Sequence, residues 1–98
     1  MAKTREYETM VILSPELEKE DRASIIERVE NNITKNDGEI IETDEWGTRE
    51  LAYEINDYKA GYYTVIEFKG NNEVIDDLEY DYRILDDVLR FLIVRIDD

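Results

Sequence analysis

Neither cysteine nor histidine occurs among the 98 residues, and proline occurs once. These absences remove thiol nucleophiles, disulfides, and thiolate or imidazole metal ligands. They also remove the side chain that exchanges protons most readily near neutrality, so no catalytic group, metal site or cofactor is expected. No long apolar run exists either. Met1-Ala2-Lys3-Thr4-Arg5 leads straight into an alternating segment without a signal core, and no window approaches the roughly 20 apolar residues of a membrane span. A cytoplasmic protein without a membrane partner is the expectation. Positive charge is scarce as well: 12 lysines and arginines stand against 26 acidic residues, a formal net charge of -14. A polyanionic surface repels phosphate at long range, which taken alone argues against nucleic acid. The plain reading is a solvated acidic surface that keeps a small domain soluble; the sharper one is a basic protein partner or a high-salt cytoplasm. The length suits one compact domain, expected to span residues 1–98.

What is present is a regular succession of apolar patterns. Arg5 to Leu13 alternates and then turns continuously apolar, which predicts a central strand with both faces partly covered. Ser14-Pro15 stops that strand and predicts a helix opening between Pro15 and Glu18. Ala23, Ile26, Val29 and Ile33, with Ile25 beside them, mark its buried stripe, and Asn36-Asp37-Gly38 marks its end. Glu39 to Trp46 predicts an edge strand broken by Gly47. Residues 48 to 60 predict an extended hairpin arm with its tip near Asn56-Asp57. Gly61 to Phe68 carries the strongest strand signal, rich in aromatic and β-branched residues. After Gly70-Asn71-Asn72, the residues Val74, Ile75, Leu78 and Tyr82 mark a second amphipathic helix. A turn near Leu85-Asp86 then leads into a last strand over 88 to 96.

The order β-α-β-β-α-β defines an α+β, ferredoxin-like arrangement, with two helices packed on one face of a four-stranded antiparallel sheet. Apolar side chains nevertheless occur at both strand parities: Met10 and Ile12 against Val11 and Leu13, Tyr62 against Tyr63, Phe91 against Leu92. An open face this apolar predicts an interaction surface, the plain alternative being that residues at the strand ends are tucked under loops. Its candidate protein-partner residues are Tyr63, Leu92, Met10 and Ile12.

Specific residues carry a family resemblance. Tyr7-Glu8, Trp46-Gly47 followed by Arg49, and Leu51-Ala52-Tyr53-Glu54-Ile55-Asn56 closely resemble the S-six family of bacterial small-subunit ribosomal proteins. So do Lys59-Ala60-Gly61-Tyr62-Tyr63, Glu73 to Glu79, Arg83 with Asp86, and Leu89-Arg90 to Val94-Arg95. The resemblance implies a ferredoxin-like fold, no enzymatic activity, contact with small-subunit ribosomal RNA, and a heterodimer with ribosomal protein S-eighteen. Two departures stand out. Members often place two or three basic residues after Trp-Gly, whereas Thr48-Arg49-Glu50 keeps only the central one. Some members carry a long C-terminal tail, whereas this chain stops at Asp97-Asp98, which puts a tail-mediated contact in doubt.

Arg49 is the first candidate for a phosphate contact, because a guanidinium fork matches phosphate oxygens and the hairpin arm projects it; a surface pair with Glu50 or Glu45 is the plain reading. Lys3, Arg5, Lys59, Arg90 and Arg95 are further RNA candidates. Some of these charges are expected to gather at one edge, where a local field can oppose the net charge within about 8 to 10 Å. Arg83 and Asp86 predict a structural pair at the turn. Tyr53, Tyr58, Tyr62 and Tyr63 could stack on bases, although aromatics in a strand are more often core or protein interface. Asp76-Asp77 and Asp86-Asp87 read as a solvated face, since adjacent helix positions do not converge. No phosphate loop, EF-hand spacing or nucleophile elbow is present, so no small-molecule substrate is expected. The alternatives are a small ferredoxin-like enzyme or ligand-binding domain that homodimerises through its sheet, and a stand-alone RNA-recognition domain.

Overall fold

The alternating N-terminal run forms strand β1, Arg5–Leu13, in a computed structural model that describes residues 4–97. It is followed by α1 (Lys19–Lys35), β2 (Glu39–Ile55), β3 (Tyr58–Gly70), α2 (Asn72–Ile84) and β4 (Val88–Arg95). The strands make one antiparallel four-stranded sheet of order β2-β3-β1-β4, so β1 is central and β2 lies at an edge, as their apolar content predicts. Both helices cover the same sheet face, giving the ferredoxin-like arrangement.

Strand parity decides which side chains face the helices. Val11 and Leu13 of β1 and Ile66 and Phe68 of β3 turn toward the helices. They pack there against Ile25, Val29 and Ile33 of α1 and Val74, Leu78 and Tyr82 of α2. Each such side chain contributes about 1.5–3 kcal/mol when fully withdrawn from water. Tyr7 stacks on Phe68 at 5.6 Å between ring centroids, and Tyr82 meets Phe91 at 4.8 Å, so aromatic pairs close the core at β1–β3 and under β4. A polar clamp joins the helices. Arg28 donates from Nε and Nη2 to buried Asp81 at 3.2 and 3.1 Å, Asn32 donates to the same carboxylate, and Asn36 donates to Asp77 at 2.7 Å.

Local signals misplace four details. Ser14-Pro15 does not open α1: the Ser14 N–H donates to the Asp87 carbonyl at 2.8 Å and its Oγ accepts from the Glu16 N–H at 3.3 Å, so this segment is a turn and the helix starts at Lys19. Ala23 is exposed, because the buried stripe runs through Ile25, Ile26, Val29 and Ile33. Gly47 does not end β2; at φ +88° it forms a bulge through which the strand continues. Arg83 pairs with Glu79 one helical turn back at 3.2 Å and not with Asp86, since positions four apart share a helix face. The hairpin tip falls at Asn56-Asp57, both at left-handed φ (52° and 70°), as a tight primed turn requires.

Candidate functional site

Because odd residues of β1 and even residues of β3 face the helices, the opposite parity lines an open face. Strand register arranges that face in rows. Glu42, Glu67, Glu8 and Val94 form one row across the sheet. The next is Asp44, Val65, Met10 and Leu92, and the next Gly47, Tyr63, Ile12 and Arg90. Arg49, opposite Gly61, follows on the arm side. The face therefore grades from carboxylates, through an apolar centre, to aromatic rings and guanidinium groups.

The apolar centre is concave. Met10, Ile12, Tyr63, Phe91 and Leu92, with Arg90 at the rim, line a depression of about 180 Å³. Leu92 is 52% exposed, so an apolar side chain at its mouth faces water. The four candidate partner residues, Met10, Ile12, Tyr63 and Leu92, thus lie together, but Ile12 is buried among its neighbours and forms the floor of the depression, so it is not itself exposed to a partner. At the arm side the extra residue of the bulge, Trp46, stacks on Tyr63 with centroids 6.2 Å apart and planes 8° from parallel. Its indole N–H donates to Asp44 at 3.0 Å, and the Arg49 guanidinium lies 5.4 Å from its ring centre. Arg49 makes no ion pair with Glu45 or Glu50. At the other end, Glu8, Glu42 and Glu67 form no ion pair among the described residues, although neighbours in such a row lie about 5 Å apart and repel.

The basic candidates do not form one cluster. Arg90 sits opposite Ile12 beside the apolar centre, whereas antiparallel pairing carries Arg95 to a position opposite Tyr7 at the far end of the sheet. Arg95 is held there by Asp97 at 2.7 Å. That arginine and a hydrogen bond from the Glu6 N–H keep the Asp97 carboxyl below its ordinary range. Arg5 is near this end, opposite Gly70. Lys59 lies on the arm beside Glu50, Leu51 and Tyr53. Lys3 lies outside the described residues.

On the helix side, a groove lined by Lys19, Arg22, Ile26, Glu30, Glu45 and Tyr62 closes the seam between α1 and β2. The Tyr62 hydroxyl donates to Glu45 at 2.9 Å and Arg22 lies 4.2 Å above its ring. Burial and the Glu45 carboxylate both raise the Tyr62 pKa, while Arg22 opposes them. Arg22, Glu30, Glu45 and Tyr62 there each already have a structural partner: Arg22 donates to the Leu17 carbonyl, Thr43 donates to Glu30, and Tyr62 donates to Glu45. Sequence patterns missed the glutamate row and the Trp46 stack, because both depend on the register of several strands; Trp46-Gly47 was the one local sign of the second.

A ferredoxin-like domain thus carries an open sheet face that grades from carboxylates through apolar and aromatic side chains to guanidinium groups. Residues 6–95 match the family model described as Ribosomal protein S6. The chain is 50% identical over 94 residues to small ribosomal subunit protein bS6 of Thermoanaerobacter pseudethanolicus, covering 96% of this chain and 99% of that protein. The corresponding Clostridium novyi protein is 47% identical, with 93% and 96% covered. The crystal structure of 30S ribosomal protein S6 from Thermotoga maritima superposes with a TM-score of 0.90 at 35% identity, covering 96% of this chain and 89% of that one. The chain belongs to the ribosomal protein S6 family: it is a small-subunit component of the cytoplasmic ribosome and not an enzyme.

Proposed function

We propose that the chain binds small-subunit ribosomal RNA jointly with ribosomal protein S-eighteen, which docks on the open sheet face, during central-domain assembly. The observation that carries this reading is the grading of that face. Its apolar centre offers Met10, Tyr63 and Leu92 to a protein above the buried Ile12, and its glutamates, which form no ion pair among the described residues, complement a basic one. Arg49 and Arg90 at the other margin are left to meet phosphate where the partner ends. The net charge of -14 accounts for the joint character, since the isolated chain repels RNA until a basic partner screens it.

The test is a mobility-shift titration against a central-domain fragment of small-subunit ribosomal RNA at several salt concentrations, with and without S-eighteen. Negligible binding alone and clear binding with the partner are expected, and tight binding by the isolated chain overturns the reading. Leu92→Asp should abolish the heterodimer while leaving the circular dichroism spectrum unchanged, because Leu92 is exposed. Arg49→Ala should weaken RNA binding by the complex and reduce the magnitude of the salt slope by about 0.7 to 0.9, the share of one phosphate contact.

A further inference from the structure

We infer that Trp46 is the positioning residue for Arg49, and that the Arg49–Trp46–Tyr63 stack couples partner docking to the RNA contact; this rests on the reading just given. An exposed arginine on a hairpin arm samples many rotamers, and ordering it on contact with phosphate works against binding. Here the guanidinium already lies over an indole face at 5.4 Å, within the range of cation–π attraction and on the aromatic side chain that favours it most. The indole is itself fixed from two sides. Asp44 accepts its N–H at 3.0 Å, and the Tyr63 ring lies nearly parallel to it at 6.2 Å. Gly47 makes the arrangement possible, because its left-handed backbone admits Trp46 as the extra residue of the bulge.

Tyr63 is also a wall of the apolar depression, so a protein seated there packs on the ring that Trp46 stacks against, while RNA meets the arginine that the same indole holds. Docking withdraws Tyr63 and the adjoining indole from water. Cation–π attraction strengthens with desolvation, so the guanidinium is held more firmly once the partner is in place. The difference between exposed and desolvated pairs corresponds to about a fivefold gain in RNA affinity. The stack thus gives a protein contact and an RNA contact a shared physical element.

The experiment is RNA titration at saturating S-eighteen with the same central-domain fragment, using wild type, Trp46→Ala, Trp46→Phe, Arg49→Ala and the Trp46→Ala/Arg49→Ala double variant. Circular dichroism checks that each is folded, and heterodimer affinity is measured separately. Trp46→Ala changes no charge, yet it should lower the magnitude of the salt slope by about 0.7 to 0.9, as Arg49→Ala does. The double variant should bind no more weakly than Arg49→Ala alone, and Trp46→Phe, which keeps an aromatic face, should recover most of the affinity. An unchanged slope for Trp46→Ala, or additive losses in the double variant, overturns the coupling while leaving Arg49 in the site. Wild-type binding by Arg49→Ala overturns both.

Discussion

Two threonines of this sheet are fully buried on the helix side and differ only in what their hydroxyls meet. Thr9 donates to the Leu92 carbonyl at 3.0 Å, which leaves Tyr82 to donate to Thr9 at 2.9 Å. The Thr64 hydroxyl has no partner among the described residues. Valine puts a methyl group in nearly the same volume. Thr64→Val should therefore be neutral or stabilise by up to about 1 kcal/mol, whereas Thr9→Val leaves the buried Tyr82 hydroxyl without its partner and should cost about 1–3 kcal/mol. Urea denaturation of the two variants decides the matter, and equal effects would show that the hydroxyls are not the difference. Tyr82 adds a pH dependence. Burial, with the Asp81 charge acting in the same direction, pushes its phenol well above the usual value of 10.0. The unfolded chain loses this proton above about pH 10 while the native chain keeps it, so unfolding becomes easier as pH rises past that point. The stabilising contribution is whole below pH 10, and its loss has a limiting slope of about 1.4 kcal/mol per pH unit. Urea midpoints from pH 9 upward should fall less steeply for Tyr82→Phe than for wild type.

Gly47 shows how one backbone angle shapes an element. A Cβ at this position would meet nothing within 4 Å, so Gly47→Ala tests the left-handed backbone alone. It should cost about 1–2 kcal/mol and, by re-aiming the single tryptophan, change the fluorescence spectrum; unchanged emission would mean that the bulge survives. A glycine in a strand pattern reads equally well as a stop or a bulge, and the pairing of β2 with β3 makes the choice, so no local pattern could. The start of α1 was hidden for a related reason. Ser14-Pro15 is a good local cap, but the Ser14 N–H is drawn to Asp87, far along the chain. By contrast β1, β3, α2 and the Asn56-Asp57 tip were legible, because periodicity, β-branched content and turn chemistry agree with the packing that finally wins. The site was legible in the same measure. Alternation alone separates Met10 and Ile12 from Val11 and Leu13. The alignment of Glu8 with Glu67 and Glu42 needs the register of three strands.

At the scale of the whole molecule, the charge of -14 and the glutamate row act together against the isolated fold. Raising sodium chloride from about 0.05 to 0.5 M should increase its thermal stability, since the Debye length shrinks severalfold over that range. Glu67→Gln, which interrupts the row at its middle, should stabilise the free chain by about 0.2–1 kcal/mol and weaken the heterodimer; a gain in both would separate the row from partner binding. The strand order has a further consequence, in time. β1 is made early, yet it lies between β3 and β4, with Arg5 opposite Gly70 and Tyr7 opposite Arg95. Neither neighbour exists while the first half of the chain is being translated. The run Met10-Val11-Ile12-Leu13 therefore leaves the exit tunnel with no strand to pair with, and the sheet closes only after β4 has emerged. A nascent copy thus carries an apolar strand without either of its neighbours until β3 and then β4 have emerged, so the order of synthesis and the order of the sheet run against each other.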